Sequence, residues 1–300
     1  MNLFYFIFLF SFLLLFYPFQ LLNAASIGLS PLIFEEKGEP GKKIELFLKV
    51  YNGSDGKTLK IVMEKGDIQP TGESGFVIVQ TPGTQSNSLA SWLKIEPESF
   101  TLTPKEEKIV KIIIDVPKNV SPGSYFGTVL ASSQNFEEIP ATGARIVQRI
   151  GSLILLEIPG AIEVSFRVKK FTTKKFWEKG PIDFEILFEN LGNIHIKPEG
   201  EIKIQNILGQ TVETIPLPEY NILPGAKRKI EMSWSKKRLF QVYYRAILGG
   251  QARNLNFSSE VSFLVIPWKF YLASLFLFVL IIFIRKRLIL ALKVLIKGEK

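Results

Sequence analysis

Apolar and polar residues alternate in short segments along residues 26–265, and this pattern predicts β-strands. In Lys43–Tyr51 every second residue is apolar, and Lys108–Val116 repeats the pattern. Neighbouring residues of a strand point to opposite faces, so a period of two indicates half-buried strands. The predicted strands are Leu29–Glu35, Lys43–Tyr51, Thr58–Glu64, Trp92–Ile95, Lys108–Val116, Tyr125–Ala131 and Ala144–Ile158, then Ile162–Phe171, Ile182–Glu189, Glu199–Gln205, Thr211–Ile215, Arg228–Ser233, Gln241–Leu248 and Asn256–Val265.

The strands fall into two similar halves. Glu45–Asn52 reads ELFLKVYN and Asp183–Asn190 reads DFEILFEN, at corresponding places in the two halves. Gly and Pro separate short strands throughout, as in all-β sandwiches. We therefore predict an all-β chain with two tandem immunoglobulin-like antiparallel β-sandwiches, over residues 26–160 and 161–265. The polar segment Gln69–Ser91 is predicted to be an exposed excursion with a small hairpin around Phe76–Gln80.

Both ends of the chain are apolar. Residues 266–284 carry no charge from Phe270 onward, and a helix of this length can cross a bilayer. Residues 285–300 hold six Lys or Arg and one Glu, a net charge of +5. This excess predicts a cytoplasmic tail, and so a single-pass cell-membrane protein with its domains outside. The tail is either a continuing helix or a short stop-transfer segment.

Residues 1–25 are interpreted as a signal peptide. The small residues Ala24, Ala25 and Ser26 suit cleavage after residue 24 or 25. The segment has no Lys or Arg and is long enough to remain as an uncleaved anchor instead. Both alternatives place the domains outside the cell.

Composition argues against several functions. The net charge is +9, the chain has no Cys, and it has one His, His195. More than half of the charge belongs to the tail, which argues against a nucleic-acid footprint. His195 alternates with two Ile residues and is predicted to point outward from a strand end. No phosphate loop, nucleophile motif or calcium loop is present, so we predict a non-enzyme without cofactor or metal.

Several segments of the first half resemble a known family. They are Ser30-Pro31, Pro40-Gly41, Val50–Asp55, Ser91-Trp92-Leu93, Thr101–Pro104, Lys108–Val110, Val116-Pro117 and Pro122–Val129. The chain is similar in these segments, and in its layout, to the WxL-interacting proteins of Gram-positive bacteria. That resemblance implies a surface-anchored adaptor, with a first domain that contacts cell-wall glycan and a second that binds a partner protein.

The candidate partner-binding residues are Trp92, Lys169, Lys170, Lys174, Lys175 and Trp177. Trp92 is either a core aromatic or a stacking platform for wall glycan. The basic, aromatic stretch Lys169–Lys179 is either a solvated connection or a contact for an acidic polymer, lipid headgroup or protein.

Two functions fit this architecture. The first is a membrane-anchored cell-surface binding or scaffold protein that contacts cell-wall polymer or a surface protein. The second is a chaperone-like assembly factor that pairs a strand edge with secreted subunits. A third reading makes the chain the membrane anchor of an enzyme whose chemistry another chain performs.

The cleavage prediction can be tested directly. We expect the protein from the membrane fraction of its host to begin at Ala25 or Ser26, measured by N-terminal sequencing. A protein that retains Met1 would show that the segment is an anchor.

Overall fold

The computed structural model describes residues 26–134, 147–235 and 243–297. The predicted signal segment, residues 1–25, lies outside this part of the chain. The described residues form eighteen strands and one long helix. The strands are β1 (Ile27–Ser30), β2 (Ile33–Lys37), β3 (Lys43–Asn52), β4 (Leu59–Thr71), β5 (Phe76–Gln80), β6 (Leu93–Glu96), β7 (Ser99–Leu102), β8 (Glu107–Asp115), β9 (Gly123–Gln134), β10 (Arg149–Ile158), β11 (Phe166–Thr172), β12 (Phe176–Trp177), β13 (Ile182–Asn190), β14 (Glu199–Asn206), β15 (Thr211–Pro216), β16 (Lys227–Trp234), β17 (Tyr243–Ala252) and β18 (Leu255–Val265).

The chain divides into two compact units. Unit 1 holds the residues up to Ile68, together with Val79–Ser121 and Tyr125–Ile158. Unit 2 holds Gln69–Ile78, Pro122–Ser124 and the rest of the chain from Pro159.

Unit 1 is a sandwich of two sheets. One sheet has the order β1-β3-β8-β6, and the other has the order β2-β10-β9-β4-β5 with β7 also paired to β4. By pairing, β4 and β5 belong to this second sheet, although their hairpin end, Gln69–Ile78, is grouped with unit 2. The alternating apolar residues of β3 and β8, such as Leu48 and Ile112, face inward and are fully buried. They pack against Ile61, Leu156 and other residues of the second sheet in one core cluster.

Unit 2 repeats this arrangement with sheets β11-β13-β16 and β12-β18-β17-β14-β15. Its core is richer in aromatic residues. Phe184 and Phe263 meet edge to face with ring centroids 5.8 Å apart, and Trp234 packs edge to face on Tyr244 at 5.2 Å. Offset and edge-on contacts of this kind suit the charge distribution of aromatic rings. The prediction of tandem immunoglobulin-like sandwiches is confirmed.

The first strand of each sandwich differs from the prediction, because it divides between the two sheets. The predicted strand Leu29–Glu35 is two strands, since Pro31 has no N–H to donate. β1 pairs antiparallel with β3, while β2 crosses to the other sheet and runs parallel to β10. In unit 2, β11 pairs with β13 and the two-residue β12 runs parallel to β18. Both sandwiches therefore contain one parallel pair, where an antiparallel fold was expected.

The segment after β4 is more structured than predicted. β4 continues to Thr71, and the predicted hairpin strand is β5. The buried carboxylate of Asp67 accepts hydrogen bonds from Gly83 N at 2.8 Å and Ser88 Oγ at 2.7 Å. A buried charge needs such partners, so Asp67 fixes the course of the loop that follows β5.

The C-terminal helix, α1, runs from Trp268 to Lys297. Its residues Trp268–Arg285 form an apolar window long enough to cross a membrane. At 1.5 Å per residue the whole helix is about 45 Å long. The backbone of the predicted tail therefore continues the helix, which was one of the two alternatives.

A buried asparagine ends β3 in unit 1 and β13 in unit 2. Asn52 Nδ2 donates to the carbonyls of Lys57, Leu102 and Thr103 at 2.8–3.1 Å. Asn190 Nδ2 donates to the carbonyls of Ile194 and Ile222 at 2.8 and 2.9 Å. Both side chains are fully buried. Each amide supplies a further donor to the carbonyls around it, as buried polar groups require. The carbonyls of Thr103 and Ile222 also accept from the backbone N–H groups of Glu106 and Ile196.

Removing one of these amides should destabilise its sandwich. We expect Asn190→Ala to lower the free energy of unfolding by about 1–3 kcal/mol, because the Ile194 carbonyl loses the amide donor and the Ile222 carbonyl keeps only the Ile196 N–H. Asn256→Ala, at an exposed position of β18, is the matched control and should change it by less than about 0.5 kcal/mol. Denaturant unfolding of the full chain in detergent measures both. Equal losses in the two variants would contradict the assigned role.

Candidate binding surfaces

The predicted basic stretch separates into two parts in the structure. Its first part, Lys169 and Lys170, lies on β11 beside acidic residues of β13. Lys170 Nζ is 2.7 Å from Glu185 Oε1, and Lys169 Nζ is 3.6 Å from Glu189 Oε1. Arg167 Nε also donates to Glu189 Oε2 at 2.7 Å. The charges of Lys169 and Lys170 are therefore balanced locally, which weakens this part as a site for an acidic partner.

The second part, Lys174, Lys175 and Trp177, lies beside the beginning of α1. Leu264 N donates to Lys175 O at 2.9 Å, and Ile266 N donates to Trp177 O at 2.8 Å. Lys174 Nζ lies 5.1 Å from the ring centroid of Trp177. The side chains of Lys174 and Lys175 are exposed, while Trp177 packs partly on the core of unit 2.

Trp92 ends a short 3-10 turn, Ala90–Trp92, before β6. Its ring packs on the core of unit 1 and lies 4.5 Å, centroid to centroid, from Tyr125. The Tyr125 hydroxyl donates to Ser121 O at 3.1 Å, as expected for a tyrosine that ties its own turn together. Part of the Trp92 ring remains accessible, and its role as a glycan platform stays a prediction.

His195 was predicted to point outward, and this is wrong. The residue is buried, and its Nδ1 lies 2.7 Å from Ser124 Oγ. Its backbone N–H donates to the same hydroxyl at 2.8 Å. The prediction assumed a strand, in which His195 would face away from Ile194 and Ile196. This segment forms only an isolated bridge, Ile196 with Ile222, and all three side chains are buried.

Two grooves on the described residues are open to solvent. One of about 540 Å³ crosses the sheet that contains β11, β13 and β16, lined by Thr172, Asp183 and Ser233 among others. Another of similar volume lies beside β6, lined by Met63, Leu93 and Pro97 among others. Within the described ranges, no group of three His, Asp or Glu residues is placed to hold a metal ion.

β5 is the exposed sheet edge that differs most from the others. Among the described residues it is the one edge strand of five or more residues without a charged residue or a proline. Its sequence is FVIVQ, and Phe76, Ile78 and Val79 are 72%, 52% and 42% exposed. The edge strands β2, β11, β15 and β16 all carry charges, and the short β6 carries Lys94 and Glu96. The uncharged run was the sequence signal that could have marked β5 as an edge without charges.

Comparison with known proteins gives structural similarity alone. No protein-family model and no curated protein sequence matches the chain. Among solved structures, the class 5 fimbriae chaperone CfaA is 13% identical, with 81% of this chain and 100% of that chain covered and a TM-score of 0.39. The chaperone–tip adhesion subunit complex CsuC–CsuE of Acinetobacter baumannii gives 9% identity, 79% and 98% coverage and a TM-score of 0.40. The E. coli chaperone DraB is 10% identical, with 80% of this chain and 98% of that chain covered and a TM-score of 0.38.

These TM-scores lie below 0.5, so the similarity does not indicate what this chain does. The resemblance to WxL-interacting proteins stays a prediction.

The ion cluster on unit 2 should make stability depend on pH. The Arg167 guanidinium, hydrogen-bonded to Glu189, lowers the pKa of that carboxyl below its ordinary value of 4.5. A lowered folded-state pKa stabilises the fold above the unfolded pKa, and this is lost as pH falls through the folded value. We expect Glu189→Gln to unfold at a lower temperature than the wild type at neutral pH, with the gap closing below pH 4.5.

Calorimetry in detergent from neutral pH to below the ordinary carboxyl pKa measures this gap. Glu213→Gln, at an exposed position of β15, serves as the control and should show no gap at neutral pH. A gap for Glu189→Gln that stays constant across the titration would contradict the ion-pair explanation.

Proposed function

We propose that this chain is a membrane-tethered, extracytoplasmic binding protein that holds an extended segment of a secreted or surface protein as an added strand on β5. The observation that carries the proposal is the uncharged, apolar edge of β5. This function combines the membrane anchor of the first function predicted from the sequence with the strand pairing of the second. It involves no catalysis by this chain.

An edge strand presents backbone N–H and C=O groups that a second chain can pair with. Proteins usually block such edges with charges, prolines or very short strands, as the other edges here do. Side chains on both faces of β5 are exposed, since Phe76 and Ile78 alternate with Val79. A bound strand would gain backbone hydrogen bonds from the edge and apolar contacts from these side chains.

α1 supplies the tether in this proposal. Its window Trp268–Arg285 is 18 residues long and is wholly accessible in the chain, as a lipid-facing helix would be. Trp268 at one end and Arg285 at the other suit the two bilayer interfaces. The Lys and Arg after residue 284 support a cytoplasmic C-terminus, which leaves the two sandwiches outside.

Membership of the WxL-interacting family, and with it contact between unit 1 and wall glycan, is a separate proposal that rests on the resemblance of sequence segments. Genes for WxL-type surface proteins beside the gene for this chain would support it.

The absence of Cys from the sequence makes cross-linking at β5 specific. We expect Ile78→Cys, carrying a photo-cross-linker in the host membrane, to form an adduct with one secreted or surface protein. Mass spectrometry should place the linked residue in an extended, apolar segment of that protein. Adding Phe76→Lys to this variant should lower the adduct yield at least about tenfold, equivalent to 1.4 kcal/mol.

The matched control is Ile109→Lys in the Ile78→Cys background. Ile109 is 61% exposed, but it lies on β8 in the other sheet of unit 1, where it pairs with Lys49 of β3. This control should leave the adduct unchanged. An adduct with a second copy of this chain alone, or equal loss in both lysine variants, would refute strand addition at β5.

A further inference from the structure

The end of unit 2 where α1 begins carries an unusual group of exposed apolar side chains. Phe176 on β12 is 67% exposed and Trp268 at the start of α1 is 50% exposed. Ile207 and Leu208, in the turn between β14 and β15, are 68% and 75% exposed. These four residues come from three distant parts of the sequence.

Strand register places all four residues at the same end of the sheet. Trp177 pairs with Val265, the last residue of β18, and Tyr244 pairs with Phe263. Asn206 pairs with Tyr244, so the β14–β15 turn begins about two residues from the level of Val265. At about 3.3 Å per residue, this turn and β12 both lie within roughly 10 Å of the level at which β18 ends.

The chain leaves almost no distance between this end and the helix. α1 begins at Trp268, three residues after Val265, and one of the intervening residues is Pro267. Ile266 N donates to Trp177 O at 2.8 Å, which ties β12 to the connection. If Trp268 lies at the headgroup level of a bilayer, then Phe176 and the β14–β15 turn lie close to the same surface.

Basic residues flank Phe176 in the sequence. Lys174, Lys175 and Lys179 are exposed and lie on both sides of Phe176 in the sequence. Lys269 Nζ pairs with Glu178 Oε1 at 3.1 Å, which neutralises the acid that follows Trp177 in the sequence. Exposed aromatic and aliphatic residues with a lysine border are the composition of interfacial membrane-binding surfaces.

We infer that this surface is a lipid-contacting foot, in which Phe176, Ile207 and Leu208 enter the headgroup region and Lys174, Lys175 and Lys179 bind anionic lipid headgroups. The foot rests on the membrane tether of the proposed function but not on strand addition at β5. It holds unit 2 against the bilayer and so restricts the rotation of unit 2 about the start of α1. It also gives Lys174 and Lys175 a lipid as their acidic partner.

Fluorescence of the full chain in vesicles tests the foot. Phe176→Cys and Leu208→Cys variants each supply the only thiol for an environment-sensitive fluorophore. In vesicles that contain phosphatidylglycerol, we expect blue-shifted emission and quenching by spin-labelled lipid at both positions. Asn254→Cys is the control, because it lies in the turn between β17 and β18, at the other end of the sheet. Its label should not be quenched.

Charge reversal separates lipid binding from simple proximity. Lys174→Glu, Lys175→Glu and Lys179→Glu, added to the Leu208→Cys variant, should each reduce the lipid-contacting population about fivefold. In vesicles of phosphatidylcholine alone, the lipid-contacting population of the Leu208→Cys variant should fall by the same factor. Quenching at position 208 no greater than at position 254, or equal quenching in neutral and anionic vesicles, would overturn the inference.

Vesicle flotation distinguishes this failure from failure of the tether. A chain without a membrane-spanning helix would not float with vesicles at all. A chain that floats but shows no quenching at positions 176 and 208 would keep its tether and refute the foot.

Discussion

The strands at the edge of a sheet have backbone N–H and C=O groups without a partner strand. How these edges are covered determines the arrangement of both sandwiches. In both sandwiches the first strand divides and crosses to the opposite sheet, where its second part covers the last strand. The remaining edges carry charges, a proline or very few residues. β5 is the exception among the described strands of five residues or more, since it presents an uncharged edge with exposed apolar side chains.

The same edge pairing determines what lies near the beginning of α1. β12 has only two residues, yet its pairing with β18 carries the chain from β11 across to the start of α1. Without this pairing, Lys174–Lys179 would be an ordinary connection between strands. With it, Phe176 lies beside the strand that leads into the helix, and the turn at Leu208 joins it through the register of β14, β17 and β18. The proposed lipid foot is therefore a product of sheet geometry.

The two proposed surfaces bind different partners. β5 offers backbone hydrogen bonds and apolar contacts to an extended partner, which suits a protein segment. The foot offers lysines and short apolar insertions, which suit a charged bilayer surface. The described residues include no cluster suited to a metal. Both surfaces suit a protein that holds a partner near a membrane.

The sequence by itself determined the local structure. Apolar residues at every second position determined strands such as β3 and β8, and the uncharged run after residue 269 determined the helix, because both patterns depend only on neighbouring residues. Tertiary structure decided which residues meet. The balancing of Lys169 and Lys170 depends on Glu189 and Glu185 across a strand pair. The burial of His195 depends on Ser124, 71 positions away. Strand register sets such contacts, and register depends on the whole sheet, so no local pattern could have predicted them.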